Sequence, residues 1–351
     1  MQNFNDFKPA VRALAPTEQA PVFLTNDEIT EFITTYEPHS SKSRAKGVDS
    51  YAMRGVTLRW ECDFPVHNYE VRLSTHADLS DAQSFQTTEK SLHLADLFVD
   101  TDYFWQVTAY GNTESLSSPI HSFKTARTPR TIFLDGVSNT RDLGGVPSTL
   151  GKIKQGMVFR TGTLDEITEA GKKAAAEIYQ IHTDLDLRYE NEISHLGISP
   201  IGDTVRFVQY DGCQYAHTLD ARGEQFGISG EARQKILANT LRLFANERNY
   251  PILFHCSAGR DRTGTLAAVL LSLLGAEKRE ITMDYELSFF SRGGCVGTLN
   301  HTDLVNGIQG VCDYVQSFAQ GEKLAVACEK FLLHIGLTAE EIAKIRAILL
   351  V

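Results

Sequence analysis

The chain of 351 residues has no run approaching the roughly 20 continuous apolar residues of a membrane span, so none is expected. Its first residues, "MQNFNDFKPAVRALAP", lack a basic start followed by an apolar stretch. No secretory leader is expected there, with a secreted protein already stripped of its leader as the alternative to a cytoplasmic one. Cysteine is sparse and scattered: Cys62, Cys213, Cys256, Cys295, Cys312 and Cys328 form no Cys-x-x-Cys pair. That argues against a zinc knuckle or a disulfide framework, and reduced thiols fit the cytoplasm. Five of the six read as small buried hydrophobes. Positive charge is short, with 34 Lys and Arg against 44 Asp and Glu and a net charge of -10. No nucleic-acid footprint is expected, although an anion pocket can still be locally positive. No repeat, metal cluster or cofactor is expected.

What is present is a globular composition, 42% hydrophobic and 22% charged, at a length that suggests two domains. Residues 1–45 read as an N-terminal extension, Pro/Ala-rich in part. Short alternating segments then follow: "VTLRWECD" (Val56–Asp63), "YEVRLST" (Tyr69–Thr75), "SLHLADL", "DYFWQVTAYG" and "IHSFKTA". Period-2 segments broken by turn-rich pieces predict a small antiparallel β-sandwich over 46–127. "TARTPRT" (Thr125–Thr131) is the joint. From 130 to 351 the grammar changes. "TIFLDG", "MVFRTG", "HTDLDLR", "VRFVQY" and "PILFHC" are short apolar runs with helical patterns between them. "EARQKILANTLRLFANE" puts Ile236, Leu237, Leu241 and Phe244 on one face, and "TLAAVLLSLLGAE" is apolar on nearly every side, with Gly275 to end it. Near the end, Thr338 and Glu341 form a capping box. Strands alternating with helices predict an α/β domain.

The chemistry concentrates in "PILFHCSAGRDRTGTLAAVLLSLLG" (Pro251–Gly275). A strand runs into a short loop, His255 to Arg262, and a helix opens near Thr263–Gly264. In an open α/β sheet, ligands bind at the carboxyl ends of the strands. A helix N-terminus offers unpaired N–H groups, and successive loop N–H groups can form an anion nest. Ser257, Ala258, Gly259, Arg260, Arg262, Thr263 and Gly264 are therefore the expected phosphate-binding residues. The same field favours a thiolate at Cys256, the nucleophile. Arg262 has a planar fork that can hold two phosphoryl oxygens. Thr263 is expected to donate its hydroxyl to the sulfur, and His255 to fix the loop.

This stretch resembles the signature loop of the cysteine-dependent protein tyrosine phosphatase superfamily. "NTRDLGG" (Asn139–Gly145), "VFRTGTL" (Val158–Leu164), "DLDLRYENE" (Asp184–Glu192) and "MDYELS" (Met283–Ser288) follow in the order of bacterial tyrosine/serine and lipid phosphatases, some of dual specificity. Thr140 replaces the Phe of their Asn-Phe-Arg-Asp-Leu-Gly-Gly motif, and Arg260 the Lys of their signature loop. The resemblance spans about Arg130 to Val351. It implies a phosphatase-like α/β domain with a central sheet flanked by helices, working without metal or cofactor through a phosphocysteine. The substrate would be a phosphotyrosine protein, or alternatively a phosphoinositide or inositol polyphosphate. A catalytically silent phosphate-binding module is the rival reading. By resemblance, Arg141–Asp142 and Asp186–Arg188 brace the loop, and Arg160 supports it. Asp261 is the expected general acid, with Asp220 and Asp211 as alternatives because no Trp-Pro-Asp lid is visible. "YDGCQYAHTLDARGEQFGISG" and "SRGGCVGTLNHTD" are candidate covers. Trp60, Leu97 and Tyr103 make the β-domain resemble a fibronectin type III domain, which would bind a protein partner.

Overall fold

The computed structural model describes residues 10–16, 20–43, 55–195, 197–219, 223–292 and 300–351. Asp220 and Cys295, with most of the second candidate cover, lie outside them. The chain divides into two compact units, Met1–Thr25 with Met53–Thr128, and Asn26–Ala52 with Pro129–Val351.

The first unit holds β1 (Val11–Ala15), β2 (Val56–Cys62), β3 (Asn68–Ser74), β4 (Gln83–Thr87), β5 (Ser91–Leu94), β6 (Asp102–Tyr110), β7 (Ser115–Ser117) and β8 (His121–Lys124). One antiparallel sheet runs β1-β2-β5; the other runs β4-β3-β6-β7, with β8 also on β6. Inward residues of both sheets share one core built on Trp60 and Trp105. Alternation marked β2, β3 and β6. It missed β1, which the expected extension contains, and the exposed edge strand β4.

In the second unit, α1 (Asp27–Thr34) precedes β9 (Arg141–Asp142), β10 (Val158–Thr161), α2 (Glu169–Lys173), β11 (Thr183–Asp186), β12 (Arg206–Gln209), α3 (Glu231–Phe244) and β13 (Ile252–His255). Helices α4 (Asp261–Leu273), α5 (Lys278–Leu287), α6 (His301–Gln316), α7 (Leu324–His334) and α8 (Ala339–Leu349) follow. The sheet order is β12-β11-β13-β10-β9, with β9 antiparallel and the rest parallel. The strand latest in sequence, β13, therefore lies between β10 and β11. All four of its residues are buried, as a strand covered on both faces requires. Thr131–Asp135 forms no strand. Thr131 makes a single bridge to Arg141, and Ile132 and Leu134 instead fill a small core beside β10.

Helix α4 is buried from Thr263 to Leu273. Gly275 ends it at φ 90, with Ala276 N–H reaching Leu271 O at 2.9 Å. The Thr338–Glu341 box caps α8 in both directions.

The N-terminal stretch is not a separate extension. Asn26 caps α1 through Ile29 N–H at 2.8 Å, and Ile29, Phe32 and Tyr36 share a core with Met283, Leu287 and Phe290 of α5 and its end. Glu286, also on α5, is fully buried. Its carboxylate accepts from Tyr36 Oη (2.9 Å), His39 N (2.7 Å), Ser41 N (3.1 Å) and Ser41 Oγ (2.6 Å). All its acceptor sites are thereby filled by Tyr36–Ser41. An eight-residue helix whose partners lie some 250 positions away leaves no period long enough to be read from sequence.

Candidate active site

The loop after β13 carries Cys256, 3% exposed, to the start of α4. Arg260, the N-cap residue of α4, makes no side-chain cap bond, so among the described residues the first N–H groups of the helix have no side-chain acceptor. The loop carbonyls are turned outward. His255 O accepts from Leu187 N at 2.8 Å and Ser257 O from Thr163 N at 3.0 Å. Asn139 Nδ2 donates to Ala258 O (3.0 Å) and Gly259 O (2.9 Å), and Arg160 Nη2 to Gly259 O (2.9 Å). Among the described residues, the N–H groups of Ser257, Ala258 and Gly259 donate to no protein acceptor. Gly259 is required here. Its φ is 64, and a Cβ would lie 2.3 Å from Thr161 O. Gly264 is a packing residue, since a Cβ would meet the Tyr285 ring at 2.7 Å.

The braces form layers. Asp284 Oδ1 accepts from Arg141 Nε at 2.8 Å, and Oδ2 from Arg160 Nη1. Burial would raise the Asp284 carboxyl, but the two guanidiniums hold it below the usual carboxylate range. Arg141 also donates to Asn139 Oδ1, so it acts on the loop through Asn139. Asp142 does not reach the loop. It binds Arg130 at 2.8 Å and the N–H of Gly144 at 2.7 Å, which fixes its own turn. His255 is fully buried, with Nε2 3.1 Å from Asp184 Oδ1 and 3.8 Å from Asp186 Oδ2. Burial pulls its pKa down, but the two aspartates outweigh that and raise it. Arg188 spans Asp186 (2.8 Å) and Asp165 (2.7 Å) beneath the same loop. Asp186 thus lies between Arg188 and the His255 ring.

Arg262 lies with its side chain 12% exposed. Its Nη1 and Nη2 donate to Glu192 at 2.5 and 2.8 Å. A guanidinium has a second bidentate edge, made by Nε–H and the other Nη2–H. Ser257 Oγ accepts from Nη2 at 3.3 Å. Thr263 is fully buried and its hydroxyl makes no hydrogen bond among the described residues, so the expected bond to the sulfur is absent here.

Asp261 Oδ1 accepts from Tyr215 Oη (2.6 Å), Tyr285 Oη (2.9 Å) and Arg260 Nε (2.9 Å). Burial raises its carboxyl, but Arg260 and the phenols lower it further, so its pKa falls below the usual range. Asp261 is thus the shared acceptor of these three donors. Arg260 faces Asp261 and lies over the Phe289 ring at 5.6 Å. Asp211 follows β12 at the carboxyl end of the sheet, where its Oδ1 accepts from Gln209 at 2.9 Å and its Oδ2 lies 4.0 Å from Arg233. The remaining described thiols are packing groups: burial pushes Cys213 and Cys312 up to about 12 and Cys328 higher still, while Cys62 is half-buried.

Residues 132–351 match the family described as "Tyrosine phosphatase family". The chain belongs to that family. A tyrosine-protein phosphatase of Nostoc commune is 29% identical over 143 residues, 37% of this chain and 47% of that protein. The triple specificity protein phosphatase PtpB of Mycobacterium tuberculosis is 26% identical over 188 residues, 43% of this chain and 67% of that protein. The chain thus spans about half the length of the first of these relatives. The solved core catalytic domain of the PP-IP phosphatase SIW14 from S. cerevisiae, in complex with citrate, aligns over 46% of this chain and 86% of its own at 17% identity and a TM-score of 0.29. No described helix is long and apolar enough to cross a membrane.

Within the family frame, the signature residues meet at one strand end. Sequence reasoning passed over Asn139, Glu192, Asp284, Tyr215 and Tyr285. All but Tyr215 sit in the quoted motifs, but nothing along the chain says that Asn139 reaches Ala258 or that Asp284 gathers two arginines.

Proposed function

We propose that this chain is a phosphomonoester hydrolase working through a phosphocysteine, with phosphotyrosine as its leading substrate class. The observation that carries this is Cys256 at the seam between β13 and the start of α4, on the same loop as Arg262, whose guanidinium Glu192 orients. The Cys256 thiolate attacks phosphorus as the P–O bond to the leaving group breaks, and a carboxylic acid protonates the departing oxygen. Water then attacks the thiophosphate. It gives up a proton to the same carboxylate, and phosphate leaves as the thiolate is restored. Arg262 and the loop N–H groups stabilise the charge on the equatorial oxygens.

We assign the acid to Asp261. The incoming dianion and the thiolate push its carboxyl up, against Arg260 and the two phenols. A second reading gives the proton to Asp211, favoured by the three donors already on Asp261 Oδ1. The first unit we read as a fibronectin type III-like partner-binding module. Tyr103 Oη accepts from Phe98 N at 2.8 Å, a corner bond of the kind such sandwiches use.

The test is release of phosphate from p-nitrophenyl phosphate by the parent and by Cys256→Ser. Turnover should vanish in the variant while phosphate-ester binding stays within a few-fold. Activity within tenfold of the parent would remove the cysteine mechanism. An inert parent that still binds would support the silent module. A matched panel of phosphotyrosine peptides and phosphoinositides ranks the substrate classes.

A further inference from the structure

Tyr189 stands at the carboxyl end of β11, where it begins the single turn Glu190–Glu192. Its N–H donates to Glu192 Oε2 at 2.9 Å, the carboxylate that holds Arg262. Its ring centroid lies 5.6 Å from the Arg262 guanidinium carbon. Phe226, from the far limb of the loop after β12, stacks on it at 5.7 Å and 25°. Arg233 of α3 lies 5.5 Å from the Tyr189 ring and 5.1 Å from the Phe226 ring, and donates to Tyr189 Oη at 3.2 Å. Tyr189 and Phe226 are both half-buried, although a hydrophobic core lies nearby. Two arginines, a carboxylate and a second ring therefore fix one tyrosine directly beside the cation assigned to the phosphoryl group.

We propose that Tyr189, with Phe226 stacked on it and Arg233 bracing both, is the wall that selects the aryl ring of the leaving group. The inference rests on the phosphatase reading above and specifies its substrate class as aryl phosphate. A phosphoryl group on Arg262 brings its ester substituent past the Tyr189 ring. An aryl substituent gains ring-to-ring contact there, and a slender alkyl one does not. Because the bracing groups come from three different elements, the wall is set before substrate arrives, so recognition needs little ordering. The selective contact involves the leaving group alone and should appear mainly in KM.

The experiment compares kcat/KM for a phosphotyrosine peptide and for the same peptide carrying phosphoserine, using the full chain. Tyr189→Leu should lower the tyrosine-to-serine ratio about tenfold, mostly through KM, the size of one aromatic pair. Tyr189→Phe should keep the ratio within about twofold. Phe226→Leu should shift it in the same direction as Tyr189→Leu, and serves as the readout if Tyr189→Leu fails to fold. A parent active on both peptides with an unchanged ratio in the Leu variants overturns the wall. So does an equal loss on both substrates, which would mean that Tyr189 only supports Glu192 and Arg262. A parent inactive on every ester overturns the phosphatase reading instead, and the wall with it.

Discussion

Glu192 holds Arg262 by both terminal nitrogens, at 2.5 and 2.8 Å, and so fixes the direction in which the rest of the guanidinium faces. The pair is partly exposed, with Glu192 32% open to solvent, so its worth is in orientation more than in stability. Arg262 pulls the Glu192 carboxyl below its usual range, with burial opposing.

Glu192→Gln should therefore reduce kcat about tenfold, the size of one charge-assisted hydrogen bond, with thermal stability nearly unchanged. Arg262→Lys should lose about 100-fold or more in kcat, because charge survives and the fork does not. Steady-state kinetics on p-nitrophenyl phosphate reads both. An unaltered kcat in Glu192→Gln would show that Arg262 finds its place unaided.

The acid is read from the leaving group. If Asp261 donates the proton, Asp261→Asn should slow phenyl and alkyl phosphates far more than esters whose leaving groups need no proton, and flatten the basic limb of the kcat profile. Loss of equal size on every ester would indicate that the carboxylate only ties Arg260, Tyr215 and Tyr285 together. The same leaving-group signature in Asp211→Asn would transfer the role to Asp211.

The catalytic unit should need its N-terminal strap. A chain starting at Pro129 lacks Ile29, Phe32 and every donor to Glu286 from Tyr36–Ser41. It should be insoluble or markedly less stable, and a peptide spanning Asn26–Ser43 added in trans should restore soluble activity. In the full chain, Glu286→Gln should cost about 1–3 kcal/mol, because its amide N–H would face donors. Denaturant unfolding checks this. A stable, active chain from Pro129 would show that α5 holds its place without the strap.

His255 sets a pH dependence. Its folded pKa is raised, with burial opposed and outweighed by Asp184 and Asp186. Its stabilisation is then complete below its unfolded value of about 6.5 and is lost as pH rises through the folded one. The gap in Tm between the parent and His255→Gln should narrow from pH 6 toward pH 9. A gap that widens would mean that the imidazole is held neutral.

Much of the site could be read from sequence because its parts are local. Cys256 to Arg262 is one loop, and a short apolar strand, glycine in the loop and a helix apolar on nearly every side are period signals that a short window contains. The strands β2, β3, β6, β10 and β13 were legible for the same reason, as was the capping box of α8. The sequence could not show what reaches across the fold. Asn139 holds carbonyls some 120 positions away, Asp284 collects Arg141 and Arg160, Glu192 aims Arg262, and Tyr36–Ser41 satisfies a carboxylate on α5. A buried charge must find partners wherever the chain brings donors together, and that pairing is set by sheet order and helix packing. By itself, then, the sequence determined the reactive loop, the α/β grammar around it and the all-β segments before it. Tertiary structure alone decided which distant residues fix that loop, how Asp261 is loaded with donors, and that residues 26–41 pack on α5.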